Sequence, residues 1–172
     1  MPTKHLYRSR QYRLPYFNYA GTGWYFITII TWQREPLFGR IENGVLIRSA
    51  LGEIAEQHFL AMQEIFPFVT LEAHVVMQDH VHCLIKLTNA HEERFLKERA
   101  FRLRPHSVSS VIGGYKSSVT ARARRAGFTD RIWQGRFHDR IIRSERQRQN
   151  VKRYIALNPV RWQQKQDERR KK

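Results

Sequence analysis

The chain has one cysteine, Cys83, so no disulfide can form within it. That thiol falls on the core-facing side of an expected strand, where a buried, inert cysteine is the ordinary outcome. No apolar run approaches the roughly 20 residues that span a bilayer. The first residues, MPTKHLYRSRQYR, lack the apolar stretch of a secretory leader, so the chain is expected to be intracellular and cytoplasmic. There is no internal repeat and no low-complexity tract. Acidic residues are also scarce: 15 Asp+Glu face 31 Lys+Arg, leaving a net charge of +16 over 172 residues. Such an imbalance resists compaction unless a polyanion offsets it, which points to nucleic acid; an anionic membrane surface is the other candidate, but with neither a spanning run nor a leader no membrane partner is expected.

What is present describes a folded domain, with 41% hydrophobic and 12% aromatic residues. Its expected boundaries are a basic arm at 1–22, one domain at 23–162 that includes a charged insertion at 89–106, and a basic tail at 163–172 without fixed structure. Gly23 to Trp32 is rich in aromatic and β-branched residues and apolar at both parities, as a central strand covered on both faces would be. Turn signals occupy Pro36 to Gly44. Leu51, Ile54, Ala55, Phe59, Met62 and Ile65 recur at helical spacing until Pro67. Phe68 to Met77 alternates, with Val69, Leu71, Ala73, Val75 and Met77 expected inward and Thr70, Glu72 and His74 outward. A strand beginning at His80 follows. Matching apolar faces predicts a loop of Met77-Gln78-Asp79, with Val76 opposite His80 and His74 opposite His82. Ser107 to Arg125 reads as a helix closed by Gly127, and Ile132 to Ile142 as a strand. Ser144 to Gln147 has capping-box form and opens a helix over Glu145 to Leu157 that Pro159 stops. The order strand, helix, strand, strand, helix, strand, helix predicts an α+β, ferredoxin-like βαββαβ antiparallel sheet with an added C-terminal helix.

The chemistry-bearing residues are few. His80 and His82 flank Val81, so on a strand they share one face and can share one divalent metal. Two exposed strand histidines would look the same. Tyr154 and Asn158 lie one helical turn apart beside the apolar Val151 and Ile155. If that helix packs over the histidine face, Tyr154 becomes a nucleophile candidate and Asn158 an oxygen ligand. Otherwise they are an amphipathic edge tyrosine and a helix-ending residue. Tyr115, in GGYKSSVT, competes for the nucleophile's place but falls on the apolar stripe of its helix. Arg102, Arg104, Lys116, Arg122, Arg136, Arg140 and Arg143 are candidates for phosphate contacts, and Trp133 for base stacking or core packing. A zinc deaminase is excluded, because no H-x-E or P-C-x-x-C pattern is present.

Three segments, His80-Val-His82 after VVM, WQGRFHDRIIR from Trp133 to Arg143, and YIALNPVRW from Tyr154 to Trp162, together resemble the REP-associated tyrosine transposases. These form a branch of the single-tyrosine HUH transposases. The resemblance covers about Gly23 to Trp162 and keeps the family's motif order. Two departures are Gln78-Asp79, where relatives commonly have Pro-Asn, and the long charged segment after Asn89. The resemblance implies a metal-dependent endonuclease that cleaves and rejoins single-stranded or hairpin DNA through a 5′-phosphotyrosine. In it, Tyr154 would be the nucleophile, His80 and His82 the ligands of Mg²⁺ or Mn²⁺, and Asn158 a further ligand or support. The protein would work as a monomer or homodimer. The rival reading is a ferredoxin-like platform that binds DNA or RNA without catalysis.

Overall fold

The computed structural model describes residues 22–88 and 106–171. The expected N-terminal arm, nearly all of the charged segment, and Arg102 and Arg104 within it lie outside the described residues.

Strand β1 (Gly23–Thr31) is central, as its aromatic and β-branched run predicts, and pairs antiparallel with a strand on each side. With β4 (Val69–Val76), β5 (His80–Leu87) and β6 (Trp133–Ile142) it forms a sheet of order β4-β5-β1-β6. This is the ferredoxin-like arrangement, with the first and third strands of the βαββαβ unit side by side. Between β1 and the first long helix lies a hairpin missing from the expected order, β2 (Gly39–Glu42) and β3 (Val45–Arg48). Asn43 and Gly44, at φ 52° and 74°, make its two-residue turn, and Asn-Gly between short strands is the signal that reveals it.

Helices α1 (Ala50–Leu60), α2 (Met62–Ile65) and α3 (Val108–Arg125) complete the main core. Ser49 caps α1 by accepting from the Gly52 amide, and Ser107 and Ser110 form a capping box at the start of α3. Phe59 and Met62 from the first pair, and Val111, Ile112, Tyr115 and Val119 from α3, meet Tyr25, Ile27, Ile29, Val81, Cys83, Ile85 and Leu87 from the sheet. Against the opposite face lies α4 (Glu145–Ala156), which packs on β4 and β5. Its Val151 and Ile155 form a small second core with Leu84 and Ile142. At the start of α4 Ser144 accepts from the Gln147 amide, while the Gln147 side chain reaches back to the Arg143 amide.

Two expectations need correction. The β4–β5 register differs: Val76 pairs with Val81, Val75 with His82, and His74 with Cys83. The turn is tighter than expected, closed by a hydrogen bond from the Met77 amide to the His80 carbonyl. A bulge between Leu71 and Ala73 reconciles this with the buried faces. Val69 and Leu71 meet the main core, whereas Ala73 and Val75 turn to α4, and His74 turns inward. The tail is the second correction. Pro159 does not end helical structure but sits in the first turn of α5 (Asn158–Arg170), where its missing N–H is no loss.

Candidate metal and nucleophile site

The histidine face is the one that α4 crosses. His80 and His82 stand side by side on β5, and their Nε2 atoms are 3.1 Å apart. Each ring is held from behind through Nδ1. Thr28, opposite His82 on β1, places its Oγ1 2.9 Å from His82 Nδ1. Asp79 places Oδ1 2.6 Å from His80 Nδ1. With Nδ1 donating in both rings, both Nε2 atoms keep a lone pair free to ligate. A cation about 2.1 Å from each of two nitrogens at right angles would hold them about 3.0 Å apart, so this pair fits a shared divalent ion. His82 is 5% exposed. Burial, and then the neighbouring His80, push its pKa down to about 3 against a hydrogen bond to Ile27, so its ring is neutral near pH 7, as a ligand must be.

Helix α4 brings Tyr154 to this pair. Its hydroxyl is 3.4 Å from His82 Nε2, and its ring stands edge-on to Phe26 at 5.9 Å. Tyr154 is 38% exposed, whereas Tyr115 is buried. The helix is tied down by Arg148, which donates to Glu72 on β4 at 3.0 Å; Glu72 in turn accepts from Trp24 Nε1 at 2.7 Å. Asn158, 8% exposed, opens α5 directly after α4. Among the described residues no group of three or more His, Cys, Asp or Glu side chains converges. Among the described residues, Asn158 is the amide that the sequence offers as a further oxygen donor.

Tyr115 lies across the sheet from these groups. Its ring packs on Phe59 at 4.1 Å, its hydroxyl donates to the Ala55 carbonyl at 3.0 Å, and burial raises its pKa well above the usual tyrosine value. Trp133 is corrected as a stacking candidate. It is buried in the main core, and its Nε1 donates to the Lys116 carbonyl. Lys116 and Arg122 are on α3, behind the sheet from the histidines, and the Lys116 ammonium donates to the Gln134 carbonyl at 2.6 Å. Arg140 is on the histidine side, 5.9 Å from the Phe26 ring. Arg136 and Arg143 are exposed on β6 and just beyond it. Thr28 and Phe26 escaped the sequence reading because only strand register joins β1 to residues some 54 positions away. Gln78 and Asp79, on the loop adjoining His80, could each be expected to assist the site, and it is Asp79 whose side chain turns back to His80.

No protein-family model matches the chain. A Haemophilus influenzae protein named only as uncharacterized is 32% identical over 176 residues, covering 96% of this chain and 98% of that protein. A REP-associated tyrosine transposase, solved bound to a REP hairpin, superposes with a TM-score of 0.55 at 22% identity, covering 81% of this chain and 67% of that one. The resemblance noted in the sequence therefore holds in the fold. Among the described residues no helix is long and apolar enough to cross a membrane.

Proposed function

This chain belongs to one family with that Haemophilus influenzae protein, and from that premise and the fold shared with a REP-associated tyrosine transposase we propose that it is a tyrosine transposase or endonuclease acting on single-stranded or hairpin DNA. The observation that carries this reading is that Tyr154 Oη lies 3.4 Å from His82 Nε2, which in turn lies 3.1 Å from His80 Nε2.

His80 and His82 would hold a divalent cation, with Asn158 as an oxygen donor. Imidazole ligands suit Mn²⁺ better than Mg²⁺. When bound, the cation polarises the scissile phosphate and offsets its charge. Tyr154 Oη attacks phosphorus and gives up its proton. The phosphorus–O3′ bond breaks, O3′ takes up a proton, and the 5′ end remains as a phosphotyrosine. Because the bond is stored covalently, a second 3′-hydroxyl can reverse the step without ATP. Thr28 and Asp79 keep both imidazoles oriented. Arg140 beside Phe26 supplies a phosphate contact on the histidine face, the exposed Arg136 and Arg143 offer further ones along and just beyond β6, and the net charge of +16 draws the strand in.

The test is a covalent-adduct assay with labelled single-stranded hairpin DNA and Mn²⁺ or Mg²⁺. Wild type and Tyr115→Phe are expected to form the adduct, and Tyr154→Phe none. An adduct that survives Tyr154→Phe refutes the assignment. DNA binding without any adduct from wild type would establish the non-catalytic platform instead.

A further inference from the structure

The two histidines are held from behind by different chemistry: His82 by the neutral Thr28 hydroxyl, His80 by a carboxylate. We infer that Asp79 is a positioning residue that sets metal affinity through His80, and that Arg34 restrains it. The inference rests on the metal reading above and deepens it.

Asp79 is held unusually firmly for a turn residue. Its carbonyl accepts from the Thr31 amide at 3.0 Å and shares the Thr31 hydroxyl, 2.8 Å away, with the Glu35 carbonyl, and Thr31 is wholly buried at the end of β1. Residue 79 is thereby tied to the central strand, and its side chain turns back to His80. The two carboxylate oxygens then divide. Oδ1 takes the His80 Nδ1 at 2.6 Å, a short, charge-assisted bond between side chains that are only 15% and 18% exposed. Oδ2 lies 3.3 Å from Arg34 Nη1, at the end of a side chain that is 63% exposed.

Arg34 is delivered by an irregular turn (Trp32–Arg34). Gln33 and Arg34 both take left-handed conformations, at φ 53° and 59°, with no glycine to ease them. Consecutive non-glycine residues of this kind cost free energy and persist where their surroundings over-determine them. Here Trp32 is held by the stacked Arg131 guanidinium, 3.7 Å from its ring centroid, and by the bond from its amide to the Ile132 carbonyl. The turn therefore aims a guanidinium at the one carboxylate behind the metal pair.

The two residues have opposite effects. A carboxylate behind an imidazole fixes the tautomer and makes Nε2 a better ligand. A guanidinium on the same carboxylate draws charge from it and makes it a poorer acceptor. Removing Asp79's charge should weaken metal binding, and removing Arg34's should not.

Titration of Mn²⁺ into the full chain by calorimetry, with electron paramagnetic resonance of the bound ion, reads this without DNA or turnover. Asp79→Asn is expected to lose about 10- to 100-fold in affinity, while Arg34→Gln binds as tightly as wild type or more tightly. Unchanged affinity in Asp79→Asn overturns the inference and leaves the metal reading intact. A loss in Arg34→Gln equal to that in Asp79→Asn also overturns it, since both would then act through the turn's fold. Wild type that takes up no Mn²⁺ overturns both readings. A measurement on unmodified protein guards against a variant that fails to fold: ring ¹⁵N shifts of metal-free wild type should report His80 as the Nδ1–H tautomer, and the Nε2–H tautomer overturns the inference.

Discussion

The two faces of the sheet use the same residue types for opposite ends. His74 and His82 lie on paired strands one register step apart, yet point to opposite sides. His74 stacks on Phe59 at 5.4 Å, and its Nε2 is taken up by Glu56 on the core side. His82 is anchored at one nitrogen only and turns the other toward His80 and Tyr154. The tyrosines divide likewise. Tyr115 donates its hydroxyl to a helix carbonyl, and Tyr154 keeps its own at the edge of solvent beside an imidazole. A polar ring is structural when the fold satisfies every polar atom it has. It is available for chemistry when the fold orients it and leaves one atom over.

The sharpest break of this comparison comes from the main core. Phe59→Ala should cost about 3–5 kcal/mol in urea unfolding, because the ring is wholly buried between α1, His74 and Tyr115. Tyr154→Phe, by contrast, should stay within about 0.5 kcal/mol of wild type. Equal losses would mean that the α4 face is as much core as the other. A finer distinction lies within α4. Ile155→Ala should cost near the lower end of the usual range, about 2 kcal/mol, since its cluster is small and rimmed by partly buried groups. Amide exchange should then show α4 opening at lower free energy than α3, whose stripe meets the large core. Parallel loss of protection in both helices would contradict a separable second layer.

Legibility in the sequence follows the same division. Periodicity exposes what repeats: the parity that puts His80 and His82 on one face, the stripes of α1 and α3, and the pairing of Val151 and Ile155 beside Tyr154. What breaks a repeat is hidden. The bulge near Glu72 leaves the alternation of Val69 to Val76 intact on paper while moving Ala73 and Val75 to the other face. Pro159 reads as a stop, because only the direction of the chain before it distinguishes a helix's end from another's first turn. The groups that orient the site are the hardest to foresee. Thr28 is supplied by register and Arg34 by two left-handed residues, and neither leaves a pattern in composition or spacing.

The smallest expected effect tests the structural histidine. Glu56 bonds His74 at 3.0 Å, and Arg48 Nη2 lies 3.3 Å from the same oxygen. The hydrogen bond from His74 is the largest influence on Glu56 and outweighs burial, so the folded-state pKa lies below the ordinary 4.5. A carboxyl group whose pKa is depressed by folding adds stability that is complete above its unfolded pKa and is lost as pH falls through the folded value. Wild type should therefore lose stability as pH drops below about 4.5, and Glu56→Gln should flatten that part of the profile. Urea unfolding of both proteins from pH 7 to pH 3 reads the difference. A variant with the same acid slope as wild type would show that the His74–Glu56 bond is formed equally in the unfolded chain or adds nothing, and His74 would then be held by its stacking on Phe59 alone.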